Sequence, residues 1–464
     1  MMEEALLVGA SPAAALFAAS PEDDSKAERG KGEGALLASI QQALRARRGR
    51  EGFPNELPAA AEAAAEEVVK RALRQSTIKS KRRRDGRKPG QMRAMKAKAD
   101  VLPVVHGSSM FTRGETQTLS TVTLGPALDD KPPEYMGQGF KSNTGLQGSL
   151  YLHYDFPPYA VNEIGKLGTN RRMVGHGNLA ERALLPTIPD VQEFPYTMRV
   201  TSEVTMSNGS SSMATACSAS LALMDAGVPV KEPVGGMSVG LMTLDAPATG
   251  KSIGEHVLLT DIVGTEDHYG DMDFKVAGTP SGVTAMQLDV KLEGGIPLSV
   301  LETALVKAEH GRKKVLMAMS KAIKCPAPEL KPRAPRCEIV QFEPDRKKDI
   351  VGFQGQMLRK IEDTYGVHVD LSEEGQAVLF GENSENVTAA KREVQDLVQD
   401  LREGEVLTGK VVEVQHYGCE VELLRNQTGL LHVSHMTKSR PAPPAPELVE
   451  VGAMLKVRVT TVDR

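Results

Sequence analysis

The spacing of apolar positions changes several times along the chain, and each change marks a boundary. Through residues 1–80, segments such as "ALLASIQQALRARRG" and "AAAEAAAEEVVKRALRQ" repeat apolar residues every three to four positions without long β-branched runs, which predicts a small helical region. From 81 to 322, alternating strands ("TQTLSTVTLG", "YTMRVTSEVTM", "AMQLDVKL") are mixed with helices ("NLAERALL", "SMATACSASLALMDAG", "LSVLETALVKAEHGRKKVLMAM"). That mixture predicts an α+β domain with a mixed sheet and packed helices. The prolines of "KAIKCPAPELKPRAPRC" interrupt the pattern, and 323–335 reads as a linker. Residues 336–401 then run strand, helix, strand, helix, which predicts a small α/β domain, and 402–464 read as short strands separated by glycine turns, a small β-barrel.

Length and composition add limits to this division. A chain of 464 residues has room for about two to four folded units. No apolar run approaches the roughly 20 residues needed to cross a bilayer, so no membrane insertion is expected. A formal net charge of -4 and a pI near 6.3 exclude coating of nucleic acid by bulk charge. Any polyanion site must therefore be local. Cys217, Cys325, Cys337 and Cys419 are scattered and form no CxxC pair, which argues against a zinc site or a disulfide framework and suits a reducing compartment. The start, "MMEEALLVGASPAAALFAAS", lacks the basic residues of a secretory or transit peptide and reads as the middle of something larger. The basic run "KSKRRRDGRK", Lys79 to Lys88, reads as a solvated linker in preference to a targeting signal.

Three segments carry candidate chemistry. In "GTEDHYGDMDFKVAG", Gly264 to Gly278, the pattern reads as a strand with Asp271, Asp273 and Lys275 on one face and Met272 and Phe274 on the other. Crowded carboxylates invite a hard cation such as Mg²⁺; an exposed edge strand with a solvated charged face is the alternative. In "SNGSSSMATACSAS", an Asn-Gly pair and three serines precede a long helix. The free N–H groups and positive dipole end of a helix N-terminus bind phosphate, although capping alone needs one such serine. In "GTNRRMVGHGN", Arg171 and Arg172 fall in a glycine-flanked loop with His176 nearby, suited to phosphate oxygens or to a surface ion pair and a structural histidine.

The downstream modules resemble RNA readers. Gly352-Phe353-Gln354-Gly355 is similar to the GXXG loop of KH domains, with Phe and Gln where a basic residue is common. Tyr417, Gly418 and the "GLLHVS" run with His432 resemble an S1-type OB-fold, although Glu420 stands where such domains usually carry an aromatic. Residues 81–322 resemble the second RNase PH-like core of the polynucleotide phosphorylase family, through "HGSSMFTRGETQTLSTVTLG", "LHYDFPPYAVNEIGK", "NRRMVGHGNLAERALLPTIP", "SNGSSSMA" and "GDMDFKVAGT". By that resemblance, 1–80 would be the end of a first core with its helical linker region, 336–401 a KH domain and 402–464 a truncated S1-type domain. The implied activity is 3′-to-5′ phosphorolysis of RNA, in which inorganic phosphate attacks the terminal phosphodiester and a nucleoside diphosphate leaves.

Carried onto this sequence, Ser211 and Ser212 would hold the phosphate. Arg171, Arg172 and His176 would contact phosphate or RNA, and Asp267, Asp273 and Lys275 would form the catalytic site. Asp267 and Asp273 would bind Mg²⁺ or Mn²⁺, with Asp273 the candidate general acid, and Gly352, Gly355, Tyr417 and His432 would contact RNA. The resemblance further implies single-stranded RNA 3′ ends as substrate, a ring-shaped homotrimer, helicase or degradosome-type partners, and an organellar location, mitochondrion or chloroplast, or the cytoplasm of a bacterium. A catalytically inactive RNA-binding ring or scaffold subunit and a hydrolytic nuclease are the competing readings.

Overall fold

The computed structural model describes residues 26–46, 58–126, 150–244 and 253–462, apart from 167, 192, 374, 400, 402, 425–426 and 438–443. The main break between its two compact units falls between Arg333 and Ala334.

The first unit holds two sheets. Strands β1 (Met95–Ala99), β2 (Gly107–Arg113), β3 (Thr116–Pro126), β4 (Leu150–Asp155) and β5 (Tyr196–Met206) form a mixed sheet in the order β1-β2-β3-β5-β4, with β4 parallel to β5 and Leu150 opposite Met198. Strands β6 (Gly235–Thr243), β7 (His256–Thr260), β8 (Met272–Gly278) and β9 (Val283–Val290) form an antiparallel sheet in the order β7-β6-β8-β9. Helices α1 (Lys26–Ala46), α2 (Pro58–Ser80), α3 (Arg171–Leu184), α4 (Ser211–Asp225), α5 (Gly264–Tyr269) and α6 (Leu298–Met319) complete it.

Helix α4 packs on β2 and β5 of one sheet and on β6 of the other, and all its residues are buried. Its serines, alanines and cysteine are small enough to let both sheets approach. A Cβ at Gly236 would lie 2.6 Å from the Met213 carbonyl oxygen, and one at Gly107 would lie 2.4 Å from that of Ala222. The buried hydroxyls find partners across this contact, as where Ser109 Oγ donates to the Ser218 carbonyl at 2.6 Å. Phe111, Cys217, Leu221, Met237, Val239, Phe274 and Val315 belong to the main core here.

Two expectations are corrected in this unit, and the linker gains contacts the sequence did not show. The segment 264–278 opens as the short helix α5, and β8 lies inside its sheet between β6 and β9, with every residue buried. The basic run is solvated only in part: Lys79, Lys81, Arg82 and Lys88 are exposed, but Arg83 is fully buried, pairs with Glu266, and donates to the carbonyls of Gln91, Thr260 and Asp261 at 3.1, 2.7 and 2.9 Å. Buried guanidinium groups need such partners, and the sheet edge and α5 supply them. The proline-rich segment is tied down, because Lys331 bridges Asp100 and Asp225 at 2.7 Å each and Ala327 N–H donates to the Met224 carbonyl at 2.8 Å. The helical region is present as α1 and α2, which pack Leu36, Ile40, Val68, Val69 and Leu73 against Met242, Leu259 and Ile262.

The second unit contains two small folds. Strands β10 (Arg336–Gln341), β11 (His368–Leu371) and β12 (Gln376–Gly381) form an antiparallel sheet in the order β10-β12-β11, accompanied by α7 (Lys347–Val351), α8 (Gln356–Tyr365) and α9 (Ser384–Val398). Helix α9 buries Val387, Ala390, Val394 and Leu397, one face at three-to-four spacing. Strands β13 (Val406–Gln415), β14 (Gly418–Leu424), β15 (Gln427–His432) and β16 (Met454–Arg458) follow, in the order β15-β14-β13-β16. The register of β14 shifts against both neighbours, irregularities that bend a sheet over a small core, here Val411, Cys419, Val421 and Val449.

Candidate active site

The loop before α4 is fixed by its backbone. Gly209 and Ser210 have φ of 89° and 57°, and a Cβ at Gly209 would lie 2.7 Å from the Gly264 nitrogen, so glycine is required for the close approach to α5. Asn208 Oδ1 accepts from Gly264 N–H at 3.2 Å, while Arg93 and Arg113 donate to the carbonyls of Asn208 and Ser210 at 2.8 and 3.1 Å. Two arginines thus hold the loop, and the loop holds the start of α5. Both arginines in turn surround the buried Asp261. Burial works against its charge, but Arg93, Arg113 and Arg87 overcome this and hold the carboxyl well below the usual carboxylate range.

Among the described residues no side chain caps α4, which leaves its first-turn N–H groups of the kind that can receive an anion. Ser211 Oγ lies 2.7 Å from the Tyr154 hydroxyl, which in turn lies 3.4 Å from His176 Nδ1. Ser212 is fully buried, and among the described residues its Oγ has no hydrogen-bond partner. The His176 ring stands edge-on to Tyr154 at 5.5 Å between centroids. Burial, aided by the charges of Lys275 and Arg172, pushes the His176 imidazole down to about 4. It is therefore neutral at pH 7. The arginine pair stands not in a loop but on the first turn of α3, where Asn170 caps the helix by accepting from Met173 N–H at 3.0 Å; Arg171 and Arg172 are both exposed there.

Opposite this face, Lys275 Nζ pairs with Asp273 Oδ2 at 3.0 Å and reaches Gln287 Oε1 at 3.4 Å. Burial raises the Asp273 carboxyl above its ordinary value; Lys275 opposes the rise and Asp267 adds to it. Asp267, on α5, is partly exposed and lies 3.4 Å from Lys291 Nζ. Asp271 is not part of this group. Its carboxylate accepts from Arg74 and from Thr243 N–H and Oγ1 at 2.8 Å, a structural tie between α2 and β6. Among the described residues no cluster of three or more His, Cys, Asp or Glu side chains forms a complete metal cage. Among those residues Asp273 Oδ1 is nevertheless buried without a partner, and Asp267 acts on it by its charge, so the two carboxylates are of the type that suits a hard cation taking its remaining oxygens from phosphate and water.

Ser211, His176, Asp267, Asp273 and Lys275 are thus brought into one electrostatically connected group, with Arg172 acting on it by its charge. Tyr154, Lys291 and Gln287 join them and are the residues that motif reading missed. Inward alternation along β4, where Leu150, Leu152 and Tyr154 are all buried, is the signal that could have found Tyr154.

Three family models match successive parts of the chain. Residues 91–229 match the model of the 3′ exoribonuclease family, domain 1, residues 337–396 the KH domain and residues 400–464 the S1 RNA binding domain. The polyribonucleotide nucleotidyltransferase of Persephonella marina is 41% identical over 89% of this chain and 56% of its own length. Those of Methylacidiphilum infernorum and Thermus thermophilus are 40% and 41% identical, each over 95% of this chain and 60% and 59% of theirs. This chain is a homologue of the polyribonucleotide nucleotidyltransferases. It spans rather more than half the length of these relatives.

The glycine turn and the Tyr417–His432 region lie within the KH and S1 matches. Gly352 and Gly355 adopt φ of 67° and 76° and Gln354 one of 52°, so the turn between α7 and α8 needs its glycines, and it presents Phe353 at 75% exposure. Tyr417 and His432 meet at one end of the last sheet. There Gly418 pairs with His432, Val433 N–H donates to the Tyr417 carbonyl at 3.0 Å, and both side chains are exposed.

Proposed function

We propose that this chain carries the catalytic core of a phosphorolytic 3′-to-5′ exoribonuclease that releases nucleoside diphosphates and, in reverse, polymerises them. The observation that carries this reading is the uncapped N-terminus of α4, with Ser211 bonded to Tyr154, standing in one group with the Asp273–Lys275 pair. A hydrolytic nuclease has no need of the first half of that arrangement. Inorganic phosphate would sit against the first-turn N–H groups and Ser211, with the opening of Ser212 as a second donor. Arg171, Arg172 and His176 would hold the RNA 3′ end, and Asp273, kept toward its protonated form by burial, would donate a proton to the leaving oxygen. Asp267 and Asp273 would hold Mg²⁺ or Mn²⁺, which would supply neutralisation of phosphate charge. Gly352, Gly355, Tyr417 and His432 would contact single-stranded RNA upstream. A ring-shaped trimer, degradosome-type partners and an organellar location complete the proposal, on the family resemblance alone.

The test is to incubate the chain with end-labelled poly(A) and Mg²⁺, with and without inorganic phosphate. ADP released only with phosphate is the expected result. AMP released without phosphate would make the protein a hydrolase, and RNA bound without product would make it a binding subunit.

A further inference from the structure

Tyr154, the last but one residue of β4, has its ring buried, packed at 6.3 Å between centroids against Phe156 and edge-on to His176. Phenylalanine would satisfy that packing as well. What the hydroxyl adds is a link: among the described residues its hydrogen-bond partners are Ser211 Oγ at 2.7 Å and His176 Nδ1 at 3.4 Å. Each of these hydroxyls carries one proton, so the direction of the chain matters. If Ser211 donated to Tyr154, a serine lone pair would face the incoming anion. If Tyr154 donates to Ser211, the serine proton is free to point at the anion.

We infer that Tyr154 is a positioning residue for the anion site: its O–H donates to Ser211 Oγ and accepts from His176 Nδ1–H, so that Ser211 is held as a donor toward phosphate. Burial keeps the phenol protonated, which preserves its ability to donate, and the neutral imidazole has one N–H to place on Nδ1. The consequence on the other side of the ring is that Nε2 presents a lone pair, fixed as an acceptor. One chain of hydrogen bonds thereby sets both the donor for phosphate and the tautomer of the histidine.

This inference rests on the proposed phosphate site, and the test separates the two. Inorganic phosphate binding to the full chain is measured without RNA by ³¹P line broadening, for the wild type, Tyr154→Phe, Ser211→Ala and the double variant. Tyr154→Phe should weaken phosphate binding about tenfold, the effect of losing one oriented hydrogen bond to an ion. In the Ser211→Ala background the same change should have no further effect, because the group it orients is gone. The tautomer is read independently from the His176 ¹⁵N shifts, which should show Nδ1 protonated in the wild type and mixed tautomers in Tyr154→Phe. Equal phosphate affinity in wild type and Tyr154→Phe, or additive losses in the double variant, would overturn the role of Tyr154 while leaving phosphorolysis standing. A wild type that binds no phosphate would overturn both.

Discussion

Asp273 and Lys275 lie two positions apart on one strand, so the pleat alone puts them on the same face, and the structure closes them to a 3.0 Å pair. Sequence patterning reached that pair because it depends on a local period. Asp271, which the same rule puts one further step along the same face, is instead claimed by Arg74 from α2, a partner 197 residues away. Only the three-dimensional arrangement distinguishes a carboxylate with a free oxygen from one whose acceptors are filled. Replacing Asp273 with Asn removes the acid and keeps the shape. Turnover on RNA should fall by about 100- to 10,000-fold, the usual range for a lost general acid, with RNA affinity held. A gel-based turnover assay paired with a filter-binding isotherm checks this, and equal losses in both would refute the role.

At the scale of elements, local chemistry identified the GXXG turn well. Two glycines with positive φ are what a reversal between short helices requires, and both are visible in four letters of sequence. The two are unequal as probes. A side chain at Gly352 would meet Met357 Cβ at 2.6 Å, whereas a Cβ at Gly355 meets nothing within 4 Å. Gly355→Asp is therefore the cleaner substitution, since aspartate tolerates a left-handed backbone and brings a negative charge to the loop. It should weaken binding of a long single-stranded RNA about tenfold, on the order of one lost or repelled phosphate contact, while cleavage of a short oligonucleotide is retained. Fluorescence anisotropy with both lengths of RNA is the measurement, and unchanged affinity for the long one would remove this turn from the RNA path. The short helix α5 was the opposite case. Its six residues carry too little periodicity to be separated from the strand that follows, and Arg83, paired with the buried Glu266 of α5, holds it from outside.

Over the whole molecule, charge is distributed unequally between the two units. The first buries Asp261 among Arg93, Arg113 and Arg87, whereas the second relies on pairs such as Lys347 with Glu373 and Lys391 with Glu338, whose carboxylates are exposed. A carboxyl whose folded pKa is depressed contributes stability that is present above its unfolded value, near 3.8, and is lost as pH falls below it. Lowering the pH from about 5 to about 3 should therefore open residues 81–333 to hydrogen exchange more steeply than residues 334–462, since exposed pairs contribute about 0–1 kcal/mol each. Exchange mass spectrometry resolves the two regions, and a parallel loss in both would contradict the assignment. The sequence by itself determined the order of modules, the helical and strand periods, the serine-rich helix start and the Asp273–Lys275 face, because each depends on residues within one or two turns of one another. The tertiary structure alone decided that the arginines after α2 are buried partners for Asp261 and Glu266, that Asp271 is structural, and that Tyr154 joins Ser211 to His176. Those contacts join residues tens to hundreds of positions apart, and no local period carries that information.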